Sequence, residues 1–196
     1  MALTPTEILL GILVLLLLVV AIALWMRSRR SAALKSRFGP EYSRTVDEVG
    51  SERKAETLLA ERQKRVASYT IKPLPPQMRE HFTETWTRVQ AQFVDDPNYA
   101  VTRADDLLGE VMAARGYPVK DFEQQAADLS VDHPHVVQNY RTAHDIANRH
   151  AAGDATTEDL RKAMIHYRAL FEELTAEPGS ATDPSLRHEI SNRSSP

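Results

Sequence analysis

Residues 76–97, PQMREHFTETWTRVQAQFVDDP, place Met78, Phe82, Trp86, Val89 and Phe93 at spacings of 4, 4, 3 and 4. That period aligns five large apolar side chains on one face of a helix and does not fit the strict alternation of a strand. Asp95-Asp96-Pro97 follows, which supplies an N-cap and a proline for the first turn of a next helix.

Reading onward, Val101, Ala104, Leu108 and Val111, with Leu107 and Met112 beside them, continue the helical stripe until Gly116 and Pro118 end it. A shorter helix is expected over about residues 120–129, with Val119, Phe122, Ala126 and Leu129 inward. Asp132, ahead of Pro134, is expected to cap another helix, whose apolar side is Val136, Val137, Tyr140, Ala143, Ile146 and Ala147 and which Gly153 closes. Thr156 with Asp159 resembles a capping box, and Leu160, Met164, Tyr167, Phe171 and Leu174 form a last stripe at 4, 3, 4 and 3. The fold class is therefore all-α, with residues 77–175 as a small bundle of four or five helices. The aromatics Phe82, Trp86, Phe93, Phe122, Tyr140, Tyr167 and Phe171 are expected to pack in its core. The Pro-, Gly- and Ser-rich residues 176–196 read as a disordered tail.

Reading back from residue 76, Ile71-Lys72-Pro73-Leu74-Pro75-Pro76 forms a stiff, Pro-rich linker. Residues 41–70 form a charged connector helix, interrupted around Gly50 to Lys54, whose apolar stripe is thin. Its seam does not hold a and d positions for three heptads, so a solvated or core-docked helix is favoured over a dimeric coiled coil, with weak homo-oligomerisation left open. Phe38-Gly39-Pro40 breaks the helix before it.

Nineteen residues from Ile8 to Met26 carry no charge. At 1.5 Å per residue they reach about 28 Å, close to the thickness of a bilayer's hydrocarbon. A single-pass transmembrane helix is expected there. The residues before it, 1–7, contain no Lys or Arg, and the exit Leu24-Trp25-Met26-Arg27 lacks a small-x-small site, so the segment reads as a retained signal-anchor. Arg27, Arg29, Arg30, Lys35 and Arg37 follow in the basic juxtamembrane stretch 27–40, against Glu7 alone on the other side. By the positive-inside rule residues 1–7 face out and the soluble domain is cytoplasmic. Trp25 and those five basic residues are the expected membrane-surface contacts, and the lipid bilayer the expected first partner.

Five of the 24 Lys and Arg residues lie between Arg27 and Arg37, and one of the 27 Asp and Glu residues precedes them, leaving 19 against 26, or −7, for residues 38–196. An acidic domain of this kind is a poor displacer of phosphate counterions, which argues against a nucleic-acid partner. Cysteine is absent, so disulfides, thiolate metal sites and cysteine nucleophiles are excluded.

The sequence has no Gly-rich phosphate loop, His-Glu-x-x-His or Gly-x-Ser-x-Gly motif. His133, His135, His144 and His150 are weak metal candidates, with His81 and His166 elsewhere, but Arg141 stands where a di-iron bundle would want Glu. No catalytic residue, metal or cofactor is assigned. The expected state is a polar rim, with His144 paired to Asp145 or a backbone carbonyl. Glu80, Glu84, Asp105, Asp106, Glu110, Glu123 and Asp128 are expected on solvated faces.

Arg37-Phe38-Gly39-Pro40-Glu41-Tyr42-Ser43-Arg44-Thr45-Val46, Arg115-Gly116-Tyr117-Pro118, Asp121-Phe122-Glu123, Ala127 through Pro134 and Asn139-Tyr140-Arg141 together resemble an uncharacterised bacterial family of single-pass membrane proteins. Its members are usually labelled hypothetical, secreted or membrane proteins. The resemblance spans Arg37 to Leu174, implies a bacterial inner-membrane location and carries over no catalytic residues. The "secreted" label runs against the basic flank, which favours a cytoplasmic domain. The expected function is a membrane-tethered adaptor or scaffold binding another protein at the membrane. The alternative is a small enzyme or metal-binding bundle built on Asp132 to His150.

Overall fold

The computed structural model describes residues 5–118 and 120–176, without the side chains of residues 5–8 and 10–12. Among the described residues every regular element is a helix: α1 (Pro5–Phe38), α2 (Pro40–Val49), α3 (Glu52–Val66), α4 (Pro76–Gln92), α5 (Pro97–Arg115), α6 (Phe122–Asp132), α7 (Val137–Ala151) and α8 (Thr157–Thr175). The chain divides into two compact units, Met1–Glu61 and Arg62–Pro196. Val119, and the tail expected to be disordered from residue 177 on, lie outside the described residues.

In the first unit α1 runs 34 residues without interruption and stops where the sequence introduces Gly39 and Pro40. Gly39 sits at φ 47 and ψ −122, and Pro40 opens α2 as its first residue, where a missing N–H costs nothing. The charged connector is two helices. Gly50, at φ 67, ends α2 by donating its N–H to the Val46 carbonyl at 2.8 Å, and α3 starts two residues later. Tyr42 and Ser31 both donate their hydroxyls to the Glu56 carboxylate, which ties α1, α2 and α3 together. Leu34, Phe38, Tyr42 and Thr45 are buried.

The apolar part of α1 is different. Leu13 through Met26 are exposed on every side of the helix. Among the described residues no helix is long and apolar enough to cross a membrane. The described uncharged side chains run without a gap only from Leu13 to Met26, short of the about 20 residues a span requires. Those at residues 8 and 10–12, which extend the run in the sequence, lie outside them.

The second unit is a bundle of α4–α8 around one apolar core. Helix α8 packs against α5 and α7, α4 lies on α5, and α6 on α7. The core holds Phe82, Trp86 and Val89 from α4 and Val101, Ala104, Leu107, Leu108, Val111 and Met112 from α5. Helix α8 adds Leu160, Met164, Tyr167, Phe171 and Leu174, the complete stripe read from the sequence. Trp86 stacks on Phe171 with centroids 4.8 Å apart and planes at 14°. Two residues of the opening stripe lie at its ends and depart from it. Phe93 is only half-buried, and Met78 is exposed in the first turn of α4.

The caps are as the sequence reads at α5 and α8. The Asp96 carboxylate accepts the Tyr99 N–H, and Thr156 and Asp159 complete a reciprocal capping box. Asp132 corrects the reading between α6 and α7. It is the last residue of α6, and α7 begins at Val137 with no side-chain cap. Pro134 disfavours helical geometry at His133, so α6 ends there and three residues of turn intervene before the chain re-enters a helix.

Gly116 closes α5 at φ 99, a conformation in which a side chain is strained. It also lies under the strand of chain that leads into α4, where a Cβ would collide with the Thr70 carbonyl oxygen. The neighbouring Lys72 N–H donates to the Arg115 carbonyl at 2.8 Å, which holds that strand in place. Gly116→Ala is expected to cost about 2–3 kcal/mol, read as a lower denaturation midpoint. Gly109→Ala, in an open position of the same helix, should be neutral or slightly stabilising by comparison.

Candidate functional site

Two regions hold the candidate residues, and each lies within one unit. The first is the basic collar of α1. Helical spacing puts Trp25 and Arg29 one turn apart, and the Arg29 guanidinium lies 4.1 Å from the Trp25 ring centroid. Cation–π contact at an exposed site contributes about 0.5–1 kcal/mol, a few-fold preference for the arginine over the ring. Lys35 turns toward the rest of the unit, 5.1 Å from the Tyr42 ring centroid and 3.5 Å from Glu52. Arg27, Arg30 and Arg37 are exposed. The six expected surface contacts thus share one stretch of helix, but Lys35 is partly committed within the protein.

The second region is the polar middle of the bundle. The four candidate histidines do not converge. His133 Nδ1 lies 3.0 Å from Glu173 Oε1, His135 is exposed, and His150 Nδ1 is 3.3 Å from the Ala155 carbonyl. His166 meets Asn139 at 3.0 Å, and His81 tilts against Phe82. No group of three or more His, Cys, Asp or Glu is placed to hold a metal among the described residues.

His144 corrects the expected pairing. Its ring stacks flat on Phe122, 3.6 Å between centroids at 6°, and its Nδ1 is 3.9 Å from Asp105 Oδ2. Asp145 instead receives Arg149 at 3.2 Å, one turn along α7. Asp105 comes from α5 and Tyr167, a fully buried residue, from α8; Asp105 Oδ1, His144 Nδ1 and the Tyr167 hydroxyl are all buried without a hydrogen-bond partner among the described residues. Tyr140 tilts against both Phe122 and Tyr167 and donates its own hydroxyl to Gln125 at 3.1 Å.

Burial raises the Asp105 pKa above the usual carboxylate range, and the Tyr167 hydroxyl and His144 oppose that shift. Burial, with Asp105 nearby, also raises Tyr140 and Tyr167, so both phenols stay protonated. Three helices therefore contribute a carboxyl, an imidazole and a phenol to one region, with 3.9 Å between His144 Nδ1 and Asp105 Oδ2 and no hydrogen bond joining the three. Because the fold holds the Asp105 proton more tightly than the unfolded chain does, stability falls as pH rises from the unfolded pKa toward the folded one. Asp105→Asn, neutral at every pH, should raise the melting temperature at neutral pH. The gain should vanish in acid, where the wild-type carboxyl is also neutral; a pH-independent difference would point to packing.

Sequence reasoning also placed Asp128 on a solvated face, and the structure buries it. Asp128 is 2% exposed, and Arg65 reaches its Oδ1 with Nη2 at 2.7 Å and Nε at 2.9 Å. Gln124 donates to the same oxygen at 2.9 Å and the Tyr69 hydroxyl to Oδ2 at 3.0 Å. Ser130, two residues further along α6, is fully buried and takes a long contact from Arg62 at 3.5 Å. Asp132 accepts the Tyr117 hydroxyl at 3.2 Å, and Arg141 meets Glu123 at 3.3 Å. The stretch from Asp128 to Arg141 is held by separate partners.

With that geometry in place, likeness to other proteins adds nothing. No protein-family model, curated protein or solved structure matches this chain. Of the chain's two regions, α1 presents the larger uncovered apolar surface, Leu13 through Met26. A helix apolar on all sides is favoured where that surface is covered.

Proposed function

We propose that this protein is a membrane-tethered helical adaptor or scaffold. Its α1 apolar segment crosses the inner membrane of a bacterium with residues 1–7 outside, and the α4–α8 bundle works at the cytoplasmic surface by binding another protein. The observation that carries this reading is the exposure of Leu13 through Met26 around the whole circumference of α1, with the basic collar directly after it. Nineteen uncharged residues in the sequence, Ile8 to Met26, match a bilayer's hydrocarbon thickness. Tethering confines the bundle to the membrane surface and raises its effective concentration toward a partner there.

Topology is tested with a protease-cleavable tag after Pro196. The tag should be protected in intact spheroplasts and cut after lysis, and the chain should stay with membranes through an alkaline wash. Cutting in intact spheroplasts overturns the orientation; release by alkali overturns the anchor. Affinity capture with and without residues 1–30 tests the adaptor role, which predicts a specific membrane-protein partner lost on truncation.

One observation favours a second reading, a small enzyme: His144 approaches Asp105 to 3.9 Å, and these two and Tyr167 each bury a polar atom that no hydrogen bond satisfies among the described residues. It extends the Asp132 to His150 region by residues of α5 and α8. Turnover that survives removal of residues 1–30 and disappears in His144→Ala would replace the adaptor.

A further inference from the structure

Where the apolar run of α1 ends, Met26, Arg27 and Arg30 form one wall of a groove, and Arg53, Glu56 and Thr57 of α3 form the other. Its volume is about 530 Å³, the scale of a small-ligand site. Helical spacing explains each wall, since 27 and 30, and 53, 56 and 57, lie one turn apart on their helices. Three guanidinium groups thus share a single concavity.

Their counter-charge is small. Glu56 is the one acid among the lining residues, and its Oε1 is already the acceptor for the Ser31 and Tyr42 hydroxyls. None of Arg27, Arg30 and Arg53 forms an ion pair among the described residues. Arg29, by contrast, lies over Trp25. Guanidinium forks of this kind match the paired oxygens of a phosphate, and several aimed at one space favour an anion there. The apolar end of the groove, at Met26, continues into the exposed uncharged face of α1, which suits a ligand with a charged head and apolar tails.

We propose that this groove binds the phosphate of an anionic phospholipid headgroup, with Arg27, Arg30 and Arg53 as its ligands and the acyl chains lying along α1. The proposal rests on the membrane-anchor reading, and adds a defined headgroup site to it. Arg53 separates the two, because it comes from α3, outside the basic stretch that sets topology.

The test uses the full chain in non-ionic detergent, titrated with short-chain phosphatidylglycerol, short-chain phosphatidylcholine and inorganic phosphate. Phosphatidylglycerol should bind at least about tenfold more tightly than either of the others. Arg30→Gln and Arg53→Gln should each weaken it about fivefold, the equivalent of about 1 kcal/mol per charge near a membrane surface. Lys54→Gln, the same charge change on α3 beside Arg53 but outside the groove, should stay within about twofold. Equal losses in K54Q and R53Q would mean diffuse charge attraction and overturn the site. Inorganic phosphate binding as tightly as the lipid would overturn the lipid assignment. The same variants in phosphatidylcholine vesicles keep the anchor distinct: release of the wild type by alkali sinks the anchor, whereas retention without phosphatidylglycerol preference sinks only the headgroup site.

Discussion

Trp86→Ala is expected to lower the stability of the bundle by about 3–5 kcal/mol, the range for removing a large buried aromatic ring. The indole is 5% exposed and stacks on Phe171, so its loss removes burial, a ring–ring contact and part of the link between α4 and α8. Neighbouring side chains on helices fixed by their own core contacts recover little of the space. In thermal unfolding the midpoint should fall by about 10 °C or more. Val94→Ala, at a side chain 83% exposed beyond the end of α4, should leave the midpoint within error. A negligible change for W86A would mean that the ring serves a binding surface instead.

The second large effect is electrostatic. Arg65→Ala leaves the Asp128 carboxylate buried with Tyr69 and Gln124 still donating to it but no cation beside it. Removing one partner of a buried pair costs about 3–5 kcal/mol; since Arg65 keeps 36% of its side chain exposed, the lower end applies. A double-mutant cycle measures the coupling. In an Asp128→Asn background, where no buried charge remains to be compensated, the cost of R65A should drop to about 1 kcal/mol. Equal costs in the two backgrounds would show that the arginine stabilises only through its aliphatic packing.

The bundle was legible because its signals are local. The stripes of α4, α5 and α8 repeat every three or four residues, and Gly116, Asp96 and Thr156 act within a turn of themselves. Asp132 misled because Asp before Pro is a good helix start in isolation, while here α6 runs on through it. The buried carboxylate was invisible for the opposite reason. Asp128 finds Arg65 63 residues upstream, and no spacing within α6 announces a partner at that distance. His144 shows the same limit: Asp145 is its sequence neighbour, but a helix turns adjacent residues apart, and the packing of α5 supplies Asp105 instead. The collar of α1 was read as a list of charges, and the contribution of Arg53 needed the fold, since nothing in residues 27–37 refers to α3.

The Arg65–Asp128 pair has a mechanical consequence. It fastens the chain to α6 before the prolines at 73, 75 and 76 are reached, so those prolines lie downstream of a clasp. A pull on the chain from its N-terminal side therefore meets that clasp before it reaches α4 and the packed core. A fragment cut at Pro76 would discard the clasp, leave Asp128 buried without its cation, and so report on a weaker bundle than the longer chain contains.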